Sequence, residues 1–351
     1  MKKFFALLLA AVMLLGCASA LADKIALVTD VGTIDDESFN QACWQAVEEF
    51  GKENKVEYTY YQPNADSLDA RLMSIDQAVT EGATVIVMPG YLFGATLVTA
   101  QDKYPDVKFI AVDVSAGDLT LDYVNYVDPA ANVICVTFSE EQAGYLAGYA
   151  AVKDGYTKLG FLGGMAVPAV IRYGYGFVQG ADKAAAELGE QIEINYTYGG
   201  QFFGDASITA KMEGWYSSGT EIVFACGGGI YTSAVEAANK YNGKVIGVDV
   251  DQAYIDPCIV TSAMKQLQNV TEDLLADLFE GNWEGGKVAN YSLAEGEYVG
   301  LPTAEASWRF ASFTQDDYAA VKEAVKTGEF AVSNSTDAEP AVTNATVNYI
   351  Q

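Results

Sequence analysis

Short apolar runs alternate with helical patterns along almost the whole chain, and this alternation constrains the fold more than any other feature. Over 351 residues it predicts an α/β protein with parallel, doubly wound sheets covered by helices on both faces. The strand series restarts after Phe138, so we expect two similar lobes. The predicted strands are Lys24–Thr29, Glu57–Gln62, Thr84–Met88, Val107–Val112, Tyr123–Val127, Val133–Phe138, Lys158–Leu162, Ile192–Tyr198, Glu221–Ala225, Lys244–Val248 and Cys258–Thr261. The predicted helices include Ser67–Glu81, Glu140–Val152, Gly176–Leu188, Ala206–Ser217, Ser233–Asn242 and Thr314–Phe330.

The segment from Ile25 to Trp44 carries the most informative chemistry of the sequence. A buried-type strand ends there in a loop, and a helical pattern begins near Asp36. In open α/β sheets this edge is where ligands bind. Asp30, Phe39 and Asn40 offer a carboxylate, a flat apolar face and an amide, which together suit a planar molecule with a polar edge, such as a nucleobase. The alternative is an ordinary helix start, with acidic and serine caps and Phe39 in the core.

The charge and the absence of histidine exclude several classes of function. The sequence has 47 acidic and 20 basic residues, a formal net charge of −27. Such an acidic surface repels nucleic acid and disfavours highly anionic ligands, so a neutral or cationic solute fits better. Because the chain has no histidine, it lacks the commonest general base and the commonest metal ligand. We therefore expect neither a metal nor another cofactor.

The first 22 residues have the form of a signal peptide, with two lysines before a short apolar stretch. Two processing signals compete at its end. Leu14 to Cys17 resembles a bacterial lipobox, which makes Cys17 the candidate lipidation site. An Ala-x-Ala site ends at Ala22, and cleavage there would release a soluble protein.

The other cysteines are widely spaced and follow no metal-binding pattern. We expect them to pack as small apolar side chains, although the sequence leaves one disulfide open. They are Cys43, Cys135, Cys226 and Cys258.

Six segments resemble the basic membrane protein family, the purine nucleoside receptor A type of lipoprotein that serves ATP-driven importers. The first is DDESFNQ at residues 35–41. The others, in chain order, are NVICVTFSEEQAGYLAG at 132–148, KLGFLGG at 158–164, GFVQG at 176–180, VIGVDVDQ at 245–252 and TSAMK at 261–265. Each string alone is weakly specific, but their order and spacing together cover nearly all of the mature chain.

The resemblance implies a type I periplasmic-binding-protein fold, in which two lobes are joined by a three-strand hinge. The chain would cross between lobes near Phe138, Ser262 and Gly300. Lobe 1 would then comprise residues 23–138 and 262–300, and lobe 2 residues 139–261 and 301–332. Residues 333–351 would form a C-terminal surface tail. Closure of such lobes around a ligand is a hinge motion.

The resemblance also implies roles for residues of the first lobe. Phe39 would stack on a base whose edge is hydrogen-bonded by Asp30 and Asn40. Asp113 would bind ribose hydroxyls, since a buried carboxylate accepts strong hydrogen bonds from two neighbouring hydroxyls. The alternative for Asp113 is a turn or helix cap.

From the second lobe the resemblance implies a second stacking ring, a glycine loop and a ribose-binding pair. Phe203 matches the second ring, and Phe202 is the alternative because this loop carries one extra residue. Gly228 would allow close backbone approach, or simply form a turn. Asp249 and Lys265 would bind the ribose; the alternative is a surface ion pair of little energetic weight.

Together these features predict an extracytoplasmic, substrate-binding receptor of an ABC importer that binds a purine-type nucleoside between its lobes. We expect a monomer that is anchored to the cell membrane by lipid, contacts permease subunits and binds no nucleic acid. One alternative is a receptor of the same fold for a sugar or another small solute. Another is a nucleoside-cleaving enzyme that uses Asp113 or Asp249 as a base. The sequence does not distinguish among nucleosides.

Overall fold

The computed structural model describes residues 23–350, so the leader and Cys17 lie outside the described residues. The strands are β1 (Lys24–Val28), β2 (Glu57–Tyr61), β3 (Val85–Pro89), β4 (Lys108–Val112), β5 (Val133–Phe138), β6 (Lys158–Gly163), β7 (Ile192–Tyr198), β8 (Ile222–Cys226), β9 (Lys244–Asp249), β10 (Ile259–Lys265), β11 (Lys287–Tyr291), β12 (Val299–Gly300) and β13 (Ala345–Tyr349). The helices are α1 (Phe39–Asn54), α2 (Leu68–Thr80), α3 (Phe93–Lys103), α4 (Glu140–Lys153), α5 (Pro168–Leu188), α6 (Ala206–Ser217), α7 (Tyr231–Tyr241), α8 (Leu267–Phe279) and α9 (Gln315–Lys326). No helix among these residues combines the length and the apolarity that crossing a bilayer requires.

The strands form two separate sheets, which confirms the predicted α/β class. The first sheet has the order β11-β5-β4-β3-β1-β2, and all of its pairs are parallel. The second has the order β12-β10-β9-β8-β6-β7-β13, and only the short β12 is antiparallel. Central strands such as β3 and β8 are buried along their whole length, as expected for a parallel sheet with helices on both faces.

The chain passes between the two sheets three times. It leaves the first sheet after Phe138, at the end of β5, and returns after Lys265, at the end of β10, slightly beyond Ser262. It reaches the second sheet again at β12, beside Gly300. Because parallel strands within a sheet point the same way, the carboxyl ends of each sheet lie at one edge.

Two segments differ from the sequence prediction. Tyr123–Val127 was predicted as a strand, and this prediction is wrong: the segment is a loop closed by a bridge between Thr120 and Tyr126. The Asp122 carboxylate accepts hydrogen bonds from the backbone N–H groups of the loop, a local turn interaction that competes with strand pairing. Near the C-terminus, residues 333–344 lack regular structure, but Ala345–Tyr349 forms an edge strand that pairs with β7.

Helices α4 and α5 pack closely, and this contact brings their first turns together at the inner edge of the second lobe. At four glycines a Cβ atom would overlap the backbone of the opposite helix. These glycines are Gly144 and Gly148 on α4, and Gly176 and Gly180 on α5. The contact sets Glu140, at the start of α4, beside Arg172 of α5.

Candidate functional site

A cavity lies between the carboxyl-terminal edges of the two sheets. It encloses about 620 Å³, its open mouth included. It is lined by seven of the eight residues that are predicted from the sequence as ligand contacts: Asp30, Phe39, Asn40, Asp113, Gly228, Asp249 and Lys265. The structure therefore brings together residues that are far apart in the sequence.

Asp30, Asp36 and Asn40 form a local cluster at the end of β1 and the start of α1. The Asn40 Nδ2 group donates to Asp30 Oδ1 at 3.1 Å and to Asp36 Oδ2 at 3.3 Å. These two carboxylates fix the amide orientation, since only the nitrogen end donates. The Asn40 Oδ1 atom is then left buried without a partner, so the cluster offers an unused acceptor to the cavity.

Asp36 also caps helix α1. Its carboxylate accepts hydrogen bonds from the backbone N–H groups of Ser38, Asn40 and Gln41, at 2.9–3.1 Å. Burial raises the pKa of Asp36 to about 6, against the lowering effect of these hydrogen bonds. Burial likewise raises the pKa of Asp30, although Gly32 and Asn40 donate hydrogen bonds to it. The local cluster is thus held mainly by groups close to it in sequence.

Five charged side chains from five separate segments come together, and we call this group the assembled cluster. Its members are Lys265, Asp113, Glu140, Asp249 and Arg172. The Lys265 Nζ atom contacts the Asp113 carboxylate and lies 3.4 Å from Glu140 Oε1 and 3.8 Å from Asp249 Oδ1. The Lys265 side chain is only 2% exposed, which excludes the surface ion pair considered for Asp249 and Lys265. Arg172 Nε donates to Glu140 Oε2 at 2.6 Å.

The two aspartates of this cluster occupy matching positions in the two lobes. Asp113 directly follows β4, and Asp249 is the last residue of β9. Both have left-handed backbones, with φ values of 59° and 66°, which are uncommon for residues other than glycine and concentrate at functional sites. Both aspartates line the cavity, and Asp113 Oδ1 is buried without a partner.

Burial and charge pairing oppose each other in the assembled cluster. Burial raises the pKa of Asp113 to about 7, although the Lys265 ammonium lowers it. Burial opposes ionisation of Glu140 as well, but Arg172 and Lys265 hold its pKa below the ordinary value. For Lys265 burial would lower the pKa, and the surrounding carboxylates raise it above the usual range. The ammonium therefore stays charged and neutralises several acids.

The aromatic residues correct one sequence prediction. Phe39 lines the cavity with its ring centroid 4.8 Å from Lys265 Nζ. Phe202 also lines the cavity, whereas Phe203 is 58% exposed and lies outside it. Phe203 forms a parallel bridge with Gly229, so the backbone is extended there and successive side chains point to opposite sides. The structure therefore places the alternative, Phe202, in the cavity.

Several residues of the site were missed at the sequence level. Asp36, Tyr91 and Tyr173 line the cavity, and the Tyr173 hydroxyl is buried without a partner. Glu140 follows the end of β5, where a carboxylate is a candidate by the strand-end argument. Arg172 and Tyr173 have no comparable signal, because they reach the site through the packing of α5 on α4.

The two lobes are in direct contact beside the cavity. The Ser38 hydroxyl donates to Asp249 Oδ2 at 2.7 Å, and Gln252 Nε2 donates to the Glu37 carbonyl at 2.9 Å. Tyr254 also contacts the Glu37 carboxylate. These contacts connect the start of α1 with the loop after β9, so the structure has the lobes closed over the site.

Solved structures share this fold of two α/β lobes with a cavity between them. An ABC transporter solute-binding protein from Aeropyrum pernix K1 aligns over 90% of this chain and 88% of its own, with a TM-score of 0.71 and 21% identity. One from Conexibacter woesei DSM 14684 aligns over 89% of this chain and 99% of its own, with a TM-score of 0.69 and 22% identity.

Sequence comparison identifies the family. The model of the Bmp family, described as PnrA-like substrate-binding proteins of ABC transporters, matches residues 23–333. The chain is 29% identical to the nucleoside-binding protein BmpA of Lactococcus lactis, over 78% of this chain and 80% of the relative. It is 31% identical to basic membrane protein A of Borreliella burgdorferi, over 78% of this chain and 77% of the relative. The chain belongs to the Bmp family and is an extracytoplasmic substrate-binding receptor of an ABC transporter.

Proposed function

We propose that the receptor binds a nucleoside with a purine-type base in the cavity between its lobes. The observation that carries this proposal is the pairing of two unused buried acceptors, Asn40 Oδ1 and Asp113 Oδ1, in one cavity that also has two aromatic faces. A ligand that satisfies both acceptors presents hydrogen-bond donors at two separate places. A nucleoside does so through the N–H groups of its base and the hydroxyls of its ribose.

The base would lie at the end of the cavity formed by Phe39, Phe202 and the local cluster. Stacking on an aromatic ring contributes about 1–3 kcal/mol per base. The Asp30 carboxylate and Asn40 Oδ1 would accept hydrogen bonds from the base edge. Gly228 has a φ of 49° and lies against Phe202 and Asp36, so its backbone approaches this end of the cavity without a side chain in the way.

The ribose would lie against the assembled cluster. Asp113 has one carboxylate oxygen on Lys265 and the other unused, so it can accept from a sugar hydroxyl while remaining neutralised. Asp249 offers a second carboxylate on the opposite lobe. A ligand that contacts both aspartates stabilises the closed arrangement relative to the open one, which is the thermodynamic basis of a receptor that signals loading by closure.

The similarity to the Lactococcus protein, named as nucleoside-binding, supports this choice over a sugar. A free sugar would occupy the assembled cluster but leave both rings and the Asn40 acceptor unused. We propose further that the protein performs no covalent chemistry. The family supports this, because its members are described as substrate-binding proteins.

The decisive experiment is isothermal titration of residues 23–351 after unfolding and refolding to remove carried-over ligand. The panel is guanosine, inosine, adenosine, uridine, adenine and ribose. We expect sub-micromolar binding of purine nucleosides and none of adenine or ribose. Binding of ribose alone would favour the sugar receptor. Chromatographic detection of free base after prolonged incubation would instead favour the enzyme.

We also propose that the receptor acts as a monomer anchored through lipid on Cys17, on the basis of the lipobox-like Leu14 to Cys17. Diacylglycerol with an amide-linked chain supplies the two-chain anchoring that stable attachment needs. Mass spectrometry of the full chain purified from membranes tests this, with Cys17→Ala as the control. A mature N-terminus at Asp23 would contradict it.

A further inference from the structure

The loop of residues 119–127 in the first lobe carries a cluster of exposed apolar side chains. Tyr123 is 75% and Val124 76% exposed, and Leu121 and Tyr126 are each 55% exposed. The other exposed large hydrophobic side chains of residues 23–350 are scattered along the sequence, singly or in pairs. Scattered exposure is normal, but a contiguous apolar patch marks an interaction surface.

The loop holds these side chains outward through its own polar contacts. Asp122 Oδ1 accepts from the N–H groups of Val124 and Asn125 at 2.9 and 2.8 Å, and Thr120 Oγ1 accepts from the N–H of Tyr123 at 3.0 Å. Tyr123 has a left-handed backbone, with φ of 57°, and such strain concentrates at functional positions. The apolar side chains are thus presented by a defined loop.

The loop lies close to the cavity. It follows a short 3-10 turn, Ala116–Asp118, that comes a few residues after Asp113 and packs against Gly94 in the first turn of α3. Tyr91, which lines the cavity, has its pKa raised by burial and by the neighbouring Tyr123. The apolar patch therefore lies next to residues that line the cavity.

Closure of the lobes does not cover this patch. The contacts between the lobes run from Glu37 and Ser38 to Asp249, Gln252 and Tyr254, and the patch stays exposed while they are made. The partner that binds the patch is therefore not part of the described fold. The closed, loaded form still exposes the patch to that partner.

The charge around the patch indicates which kind of partner can bind it. Asp118, Asp122 and Asp128 lie in or beside the loop, and backbone N–H groups of Asn125 and Val124 hold the pKa of Asp122 at about 2. In a contact with a second copy of this chain, the acidic residues of the two loops would repel each other. An anionic membrane surface would repel a chain with net charge −27. The fitting partner is a protein surface with an apolar pocket bordered by lysine or arginine.

We propose that the 119–127 loop is the surface through which the loaded receptor docks on the permease subunit of its ABC importer. The partner presents an apolar pocket with a basic border next to the entrance of its translocation path. The cavity mouth then faces that entrance when the lobes open. This assignment rests on the class of the protein and not on the identity of its ligand.

The first test is photo-crosslinking in cells of the source organism, with benzoylphenylalanine in place of Val124 in the full chain. The matched control carries it at Leu188, which is 49% exposed and ends α5 at the opposite edge of its sheet. We expect an adduct with the membrane-spanning subunit of an ABC importer at position 124 and none at 188. Adducts with a second copy or with lipid, or no adduct at 124, would overturn the proposal.

The second test separates docking from binding. The double variant Tyr123→Asn/Val124→Ser keeps a residue that tolerates the left-handed backbone at position 123. With radiolabelled guanosine as the probe, we expect uptake to fall at least tenfold while guanosine affinity, measured by titration, stays within twofold. Met73→Ser, at another exposed apolar position, should keep uptake. Normal uptake by the double variant would refute docking. Failure of the wild type to bind guanosine would instead exclude guanosine as the ligand, and the crosslink would still decide docking.

Discussion

The local cluster and the assembled cluster face the same cavity but are built differently. The local cluster takes its three side chains from one strand end and the helix that follows it, between Asp30 and Asn40. The assembled cluster takes its members from the ends of β4, β9 and β10 and from the first turns of α4 and α5. The first is set by local geometry, whereas the second exists only when both lobes are folded and in contact.

The two clusters also differ in what neutralises their carboxylates. In the local cluster, backbone N–H groups of α1 donate to Asp36, and Asn40 bridges the two acids. In the assembled cluster, one ammonium serves Asp113, Glu140 and Asp249. Loss of one backbone hydrogen bond leaves the others in place, but loss of Lys265 leaves buried Asp113 without a cation and removes a cation from beside Glu140 and Asp249. Loss of Lys265 should therefore disrupt the whole assembled cluster.

The largest expected effect is that of Lys265→Met on stability. Removing one partner of a buried ion pair costs about 3–5 kcal/mol, and we expect a loss of that size in the free energy of urea unfolding, with nucleoside binding abolished. Asp36→Asn, in the local cluster, keeps one oxygen that caps the helix and should cost less than about 1 kcal/mol. Lys287→Met, which breaks an exposed pair with Glu284, should cost less than about 1 kcal/mol. Equal losses for Lys265→Met and Asp36→Asn would remove the distinction between the clusters.

The next effect tests the proposed contact between the assembled cluster and the ribose. Asparagine keeps the shape of Asp113 and tolerates its left-handed backbone, so Asp113→Asn isolates the charge. Hydrogen bonds to charged groups contribute about 1.5–3 kcal/mol, so guanosine affinity should fall by about ten- to a hundredfold. The wild type should prefer guanosine to 2′,3′-dideoxyguanosine, and the variant should lose most of that preference. A preference that survives in the variant would place the ribose elsewhere.

A smaller effect distinguishes the two neighbouring phenylalanines. Phe202→Ala should weaken guanosine binding about tenfold through the loss of one stacking face. Phe203→Ala should leave affinity within twofold, because that ring lies outside the cavity. Titration of both variants at equal pH and salt makes the comparison. The reverse order of effects would restore the assignment that sequence resemblance favours.

The smallest effect is a pH dependence of binding that the charge of Asp113 should produce. Its carboxyl has a pKa of about 7, so lowering the pH from 7.5 to 6.5 protonates it and should reduce guanosine affinity about threefold. Stability should move the other way. Because the raised pKa makes the native state bind the proton before the unfolded state does, the free energy of unfolding should rise as the pH falls from about 7 towards 4.

Asp113→Asn provides the control for this dependence. Its guanosine affinity should be nearly flat over the same pH interval, because the side chain no longer titrates. An equally steep dependence in that variant would assign the proton to another group, with Asp36 and Glu141 the next candidates by their raised pKa values of about 6 and about 7.

The differences between prediction and structure follow from the range of the interactions involved. The local cluster could be predicted from the sequence because the strand, the loop and the start of the helix are continuous in the chain. The choice between Phe202 and Phe203 could not be predicted, since it depends on which side of an extended segment faces the cavity. The edge strand at Ala345–Tyr349 was missed because it is stabilised by pairing with β7, a partner remote in sequence.

The sequence by itself determined the strand–helix order, the α/β class and seven of the residues that line the cavity, because apolar periodicity and strand-end chemistry are local properties. Tertiary structure alone decided that Lys265 serves several acids, that Arg172 and Tyr173 reach the site, and that Phe203 does not. Charge pairing and burial depend on distances between segments far apart in the chain. Those distances are fixed only when helices α4 and α5 pack together and the two lobes close.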